Sequence, residues 1–128
     1  MFLIDTNVLI LASKHSDPDY QFLRESLQTS KVCISTITIA EFLIKATRTE
    51  KNFFEMILTK MNILIIDEAV ARQAADYRSK FLKSRRIVLL DYLIAAQAKI
   101  HKLTLATNNK ADFHMKDLKV ILPRSARS

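Results

Sequence analysis

Four carboxylates stand out by position among the thirteen acids of this 128-residue chain. Asp5 directly follows the apolar run Phe2–Ile4. Glu41 lies in the helical stretch after Val32–Ser35. Asp91 opens Asp91–Ala98, behind Ile87-Val88-Leu89-Leu90. Asp112 follows Leu103–Ala106, within Thr107-Asn108-Asn109-Lys110-Ala111-Asp112-Phe113. Carboxylates brought together repel, and each raises its neighbours' pKa unless a cation neutralises them. Mg²⁺ suits such a set: it takes carboxylate oxygens, keeps several waters and leaves room for substrate phosphate. A site of this kind activates water and stabilises the charge that grows on phosphorus. Thr6 and Asn7 beside Asp5, with Thr107 and Asn109 before Asp112, add polar side chains suited to substrate contact.

Each acid also has a structural use. Asp5 and Asp91 are both placed to be helix N-caps, a role worth about 1 kcal/mol. Thr38-Ile39-Ala40-Glu41 fits a capping box, with Glu41 as its return arm. Asp112 reads equally as one more polar residue in a turn built from Asn108 and Asn109. The three histidines, His15, His101 and His114, show no zinc spacing with Cys33 and read as surface residues.

The elements that must position these residues are short and alternate. Phe2–Ile4, Val32–Ser35, Ile63–Ile66, Leu103–Ala106 and Val120–Leu122 are brief, continuous apolar runs, the pattern of strands buried on both faces. Helical stripes lie between them. Val70, Ala74, Tyr77 and Phe81 repeat on one helix face, and Phe42, Leu43 and Ala46, then Phe53, Phe54, Ile57 and Leu58, do the same. Alternating strands and helices imply an α/β fold with helices on both faces of a mainly parallel sheet of about five strands. Sites in such sheets open at the carboxyl ends of the strands, near the point where strand order reverses. The length fits one domain, 1–128, with 123–128 as a loosely ordered tail.

Composition narrows the function classes. The chain has no glycine, which excludes Walker A and dinucleotide-binding loops in their ordinary form. A lone cysteine forms no intrachain disulfide and fits a reducing compartment. The start lacks a basic region, and no run approaches the roughly 18 uncharged residues of a transmembrane helix. A cytoplasmic protein without a membrane partner is expected. The net charge is +7, with Arg78, Lys80, Lys83, Arg85 and Arg86 inside one acid-free stretch. Such a stretch is either a solvated helix face or a grip on the phosphates of a polyanion such as RNA, through Lys83, Arg85 and Arg86.

Four segments carry a family resemblance. Phe2–Asn7 resembles the first motif of PIN domains, an apolar strand followed by Asp-Thr-Asn. Ile34–Phe42, ending at Glu41, resembles the second, and Asp91-Tyr92-Leu93-Ile94-Ala95-Ala96 the third. Leu105–Phe113 resembles the fourth and keeps its Thr-x-Asn-x-x-Asp-Phe form. The match runs nearly end to end, at the length of the short VapC-like toxins of VapBC toxin–antitoxin pairs.

The resemblance implies a three-layer α/β/α fold and Mg²⁺- or Mn²⁺-dependent cleavage of RNA phosphodiester bonds. It also implies a homodimer and a small antitoxin partner whose tail fills the active-site groove. By position, Asp5 and Asp91 correspond to the principal metal ligands, and Glu41 completes the set or acts through water. Asp112 is the fourth acid, a role Asn109 can share. Relatives often carry glycine where this chain has Lys83-Ser84-Arg85-Arg86 and His101-Lys102-Leu103, so loop geometry around the substrate is expected to differ.

Two other functions fit parts of the pattern. A haloacid-dehalogenase-like phosphatase also places Asp after an apolar strand, but needs a second acid where Asn7 stands. A non-catalytic RNA- or protein-binding module on the same fold predicts salt-sensitive RNA binding indifferent to Asp5.

Overall fold

The computed structural model describes residues 1–80, 88–113 and 115–125. Five strands form one parallel sheet: β1 (Phe2–Ile4), β2 (Val32–Ser35), β3 (Asn62–Leu64), β4 (Thr104–Ala106) and β5 (Val120–Ile121). Their order is β3-β2-β1-β4-β5. The chain therefore steps from β1 outward through β2 to β3, then returns to the other side of β1. Strand order reverses between β1 and β4, so the crevice of this sheet lies outside their carboxyl ends. Ile4 pairs with Ala106 in register, so Asp5 and Thr107 leave the sheet side by side.

Helices α1 (Thr6–Ser13), α2 (Asp19–Thr29), α3 (Thr36–Lys45), α4 (Arg48–Leu58), α5 (Glu68–Lys80) and α6 (Leu89–Ile100) cover both faces. Strand residues alternate between those faces. Leu3, Cys33 and Leu105 join a core with α5 and α6, where Val70, Ala74, Tyr77, Ile94 and Ala98 are buried. Ile4, Val32, Ile34 and Ala106 join a second core built from α1 to α4, including Val8, Phe22, Phe42 and Phe54. Burial on both sides is why the strands read as unbroken apolar runs. The result is the expected three-layer α/β/α architecture.

The absence of glycine is visible at helix ends. α1 and α6 both end in a turn that puts the following residue in the left-handed region, His15 at φ 56° and Lys102 at φ 55°. Glycine usually fills that place, because a β-carbon there costs roughly 1–2 kcal/mol. The bonds Ser16 N–H to Leu11 O at 2.9 Å and Leu103 N–H to Ala98 O at 2.8 Å hold the two turns closed.

Several sequence expectations need correction. The third strand is Asn62–Leu64 rather than Ile63–Ile66, and among the described residues it is an edge strand bonded only to β2, with Ile63 and Ile65 exposed. At its end, the Leu64 and Ile65 carbonyls accept from Gln97 Nε2 of α6, at 3.2 and 3.1 Å. The Thr38–Glu41 capping box does not form. Ser35 caps α3, its Oγ accepting from Ile37 N–H at 3.2 Å, so Thr38 and Glu41 both lie inside the helix. α6 begins two residues before Asp91. Of the tail 123–128, Pro123–Ser125 form a 3-10 turn with Pro123 buried, and the rest lies outside the described residues. Phe81 of the helical stripe and His114 lie outside the described residues. No helix among the described residues is long and apolar enough to cross a membrane.

Candidate active site

The site begins where β1 ends. Asp5 is the N-cap of α1: its Oδ1 accepts from Thr6 N–H at 2.8 Å. Its other oxygen accepts from Thr107 Oγ1 at 2.7 Å and from Asn7 Nδ2 at 3.1 Å. Asp5 is buried, and burial pushes its pKa above the usual carboxylate range. The bonds from Thr107, Thr6 and Asn7 pull it back, while the charge of Glu41 pushes it up. Capping α1 and presenting a carboxylate to the crevice are thus one arrangement.

Glu41 comes to Asp5 through Thr6, whose hydroxyl donates to Glu41 Oε1 at 2.8 Å. Asp91 is the third residue of α6, and its carboxylate accepts from Val88 N–H at 3.4 Å. This is half a capping box, because a valine side chain has no acceptor to offer in return. The Asp91 carboxyl is pushed up to about 6, first by burial and then by the charges of Asp5, Asp112 and Glu41. All four acids therefore share one electrostatic field.

A groove of about 480 Å³ opens between them, lined by Asp5, Thr6, Asn7, Glu41, Asp91 and Asn109. Asp112 closes the 3-10 turn Lys110–Asp112; it acts on Asp91 through charge and does not line this groove. Thr107 departs from the expectation of substrate contact. It is fully buried, and its hydroxyl is a hub that donates to Asp5 and accepts from Asn109 N–H at 3.0 Å. Lys83, Arg85 and Arg86 lie outside the described residues. Of their neighbours, Arg78 is exposed and Lys80 pairs with Asp76 at 3.0 Å.

Three contributors escaped sequence reasoning. Lys45 lines the groove with Ile44 and Leu90, and it sits four residues after Glu41, so helical spacing alone puts it on the same face. Asn108 and the buried Asp19 join the network behind Asp5 through a long-range contact with no local sequence signal: Asn108 Nδ2 donates to Asp19 Oδ2 at 2.7 Å.

Among the described residues no three acid, histidine or cysteine side chains are grouped tightly enough to enclose an ion by themselves. The donor set nonetheless fits Mg²⁺ or Mn²⁺. Its oxygens are hard and anionic, the charges of neighbouring acids add to burial in raising Asp5 and Asp91, and the groove is open to the waters such ions retain.

Residues 2–118 match the PIN domain family model. The chain belongs to the PIN-domain family. This PIN domain is 31% identical over 116 residues to "Ribonuclease VapC10" of Mycobacterium tuberculosis, covering 90% of this chain and 87% of that protein. It is 29% identical over 118 residues to the "tRNA(fMet)-specific endonuclease VapC" of Shigella flexneri, covering 88% and 89%. Among solved structures it is similar to a toxin–antitoxin complex from Klebsiella pneumoniae, with a TM-score of 0.79, 28% identity, and coverage of 96% and 98%. The acids converge at the switch point of the fold that these proteins share.

Proposed function

We propose that this PIN domain is a Mg²⁺- or Mn²⁺-dependent endoribonuclease, the toxin of a toxin–antitoxin pair, working in the cytoplasm as a homodimer. The observation that carries the proposal is the field at Asp91: Asp5, Glu41 and Asp112 all act on it, at the edge of one open groove. Relatives named as ribonucleases support RNA as substrate, and a neighbour named as a toxin–antitoxin complex supports a small protein partner.

Asp5 and Asp91 are the ligands that would hold the cation, with Glu41 adjoining them and Asp112 as the fourth acid. A divalent cation bound there lowers the pKa of water and offsets charge on phosphoryl oxygens. The chain's own residues do the rest. Thr6, Asn7 and Thr107 keep Asp5 oriented with donors alone, which favours its ionised form. Thr6 turns Glu41 toward Asp5, where it can take a proton from the attacking water. Lys45 and Asn109 on the groove wall, with Lys83, Arg85 and Arg86 of the acid-free stretch, hold the RNA strand.

The partner antitoxin has to offset a charge of +7 and can place a cationic side chain among the acids, competing with the metal. The test is cleavage of mixed RNAs with Mg²⁺, with Mn²⁺ and with chelator, by the wild type and by Asp5→Asn and Asp91→Asn. Asn still caps a helix but is a poor Mg²⁺ ligand, so both variants should fold and not cleave. In cells, the wild type expressed without its partner should arrest growth and Asp5→Asn should not. RNA binding that is salt-sensitive but indifferent to Asp5, without cleavage, would return the protein to a binding role.

A further inference from the structure

Asp19 opens α2 and is only 2% exposed. A buried carboxylate is costly unless its oxygens are well bonded or paired with a cation. No ion pair to Asp19 occurs among the described residues. What it has is a bond of 2.7 Å from Asn108 Nδ2, across 89 residues of chain, and a place in the first turn of a helix, where the backbone favours negative charge.

Asn108 leads from there to the site. Its backbone N–H donates to Asn7 Oδ1 at 3.0 Å. An amide whose oxygen faces an N–H must turn its nitrogen the other way. Asn7 Nδ2 accordingly donates to Asp5 Oδ2 at 3.1 Å and reaches Thr107 Oγ1 at 3.3 Å. The opposite flip would set the Asn7 oxygen against the Asp5 carboxylate and its nitrogen against a donor. Next along the turn, Asn109 N–H donates to Thr107 Oγ1, which leaves the Thr107 proton directed at Asp5.

The geometry points to Asp19 as a positioning residue for Asp5: through Asn108 it locks the turn 107–109, and that turn fixes the two donors, Asn7 and Thr107, that orient the Asp5 carboxylate. The inference rests on the proposed nuclease function for the consequence at Asp5, and on geometry alone for the lock. The residue that completes it, Asn108, occupies the variable place in Thr-x-Asn, so the device belongs to this chain's own pairing of two segments.

The experiment compares Asp19→Ala, Asp19→Asn and Asn108→Ser with the wild type, and with Thr47→Ala as a control that loosens the N-terminus of α4 away from the turn. The readouts are amide hydrogen exchange at Asn108 and Asn109, Mn²⁺ affinity by calorimetry, and RNA cleavage below every variant's melting temperature. Asp19→Ala and Asn108→Ser should speed exchange at both amides and lower kcat and Mn²⁺ affinity by roughly 10- to 100-fold, the usual cost of losing an outer partner of a metal ligand. KM for RNA should move less than kcat, because Lys45 and the acid-free stretch keep their hold on the strand. Asp19→Asn keeps an oxygen for Asn108 and should restore most of each quantity. Thr47→Ala should lower the melting temperature and change none of the three.

Unchanged exchange at Asn108 and Asn109 in Asp19→Ala would overturn the inference. So would an Asn variant as impaired as the Ala variant. If Asp19→Ala fails to fold, Asn108→Ser decides alone, since it removes the donor at an exposed residue. A wild type that cleaves no RNA with either metal would end the nuclease proposal, while the exchange data would still decide the lock.

Discussion

Replacing Thr107 by Val removes one hydroxyl and almost no volume. Thr107 is fully buried, so no water takes its place beside Asp5 Oδ2, to which it donates at 2.7 Å. A hydrogen bond to a charged group is worth about 1.5–3 kcal/mol, and losing one partner costs the desolvation of the other as well. Asn109 N–H also loses its acceptor, but Asn109 is exposed and water can replace it. The expected loss at pH 7 is therefore about 2–3 kcal/mol. At about 4 °C per kcal/mol for a domain of this size, that is roughly 10 °C in Tm.

The pH dependence carries its own sign. Burial has already raised the Asp5 pKa, so its ionised form costs stability above the unfolded pKa, and acidification returns that stability. The Thr107 bond is the strongest influence holding this pKa down, so the variant's pKa rises further. The gap between wild type and Thr107→Val should be widest at neutral pH and close as Asp5 becomes protonated in both. Urea unfolding at pH 7 and pH 4, in chelator, measures it, with Thr107→Ser as a control that keeps the hydroxyl. A Val variant within about 0.5 kcal/mol of wild type at pH 7 would refute the hub, since surface-like substitutions stay inside that range.

Two further predictions concern charge. Asp91→Asn should raise Tm in chelator at pH 7, because the folded carboxyl sits at about 6, above its unfolded value, and its ionised form is the disfavoured one. The gain should fade as pH drops through 6 and vanish below about 4, the unfolded carboxylate value, whereas no gain at pH 7 would contradict the burial of Asp91 among the other acids. Glu50 shows the opposite sign: bonds to the Thr47 backbone and side chain, then Lys14, hold it down to about 2. Glu50→Gln should therefore be less stable than wild type at pH 7 and converge with it as pH falls through 4.5 toward 2, measured by denaturant unfolding across that range.

The sheet was legible wherever burial was two-sided. The runs Phe2–Ile4 and Val32–Ser35 coincide with their strands to the residue, because a continuous apolar run flanked by polar residues has few other meanings. The third strand was misplaced because Ile63, Ile65 and Ile66 look like core, whereas an edge position leaves Ile63 and Ile65 in solvent. Hydrophobicity reports a side chain's preference and carries no information on whether a further strand exists to cover it. The missing glycine before the fourth strand did signal something physical, since Lys102 stands there in the left-handed region. At the site, Asp5 is visible because it directly follows a strand end, and Glu41, Asp91 and Asp112 through the motifs that carry the PIN-domain resemblance. Asp19 is not, because its partner lies 89 residues away and nothing local distinguishes it from an ordinary first-turn acid.

Sequence reasoning sets helix capping against catalysis for Asp5, Glu41 and Asp91, and the structure dissolves that choice for two of the three. The carboxylate that caps α1 must stand at the carboxyl end of β1, since strand and helix are joined there by a single residue. That is also the crevice of a doubly wound sheet, so the cap and the proposed ligand occupy the same point. Asp91 repeats the logic at the start of α6, where its carboxylate meets the Val88 N–H. Helix N-termini tolerate negative charge, which lets this fold gather acids without collapsing under their repulsion. Burial first, and then the charge that the helix ends leave unneutralised, raises the pKa values of Asp5 and Asp91. That residue of charge is the physical basis of the proposed cation binding, and it is why a stabilising Asp91→Asn substitution and a loss of cleavage should come from the same atom.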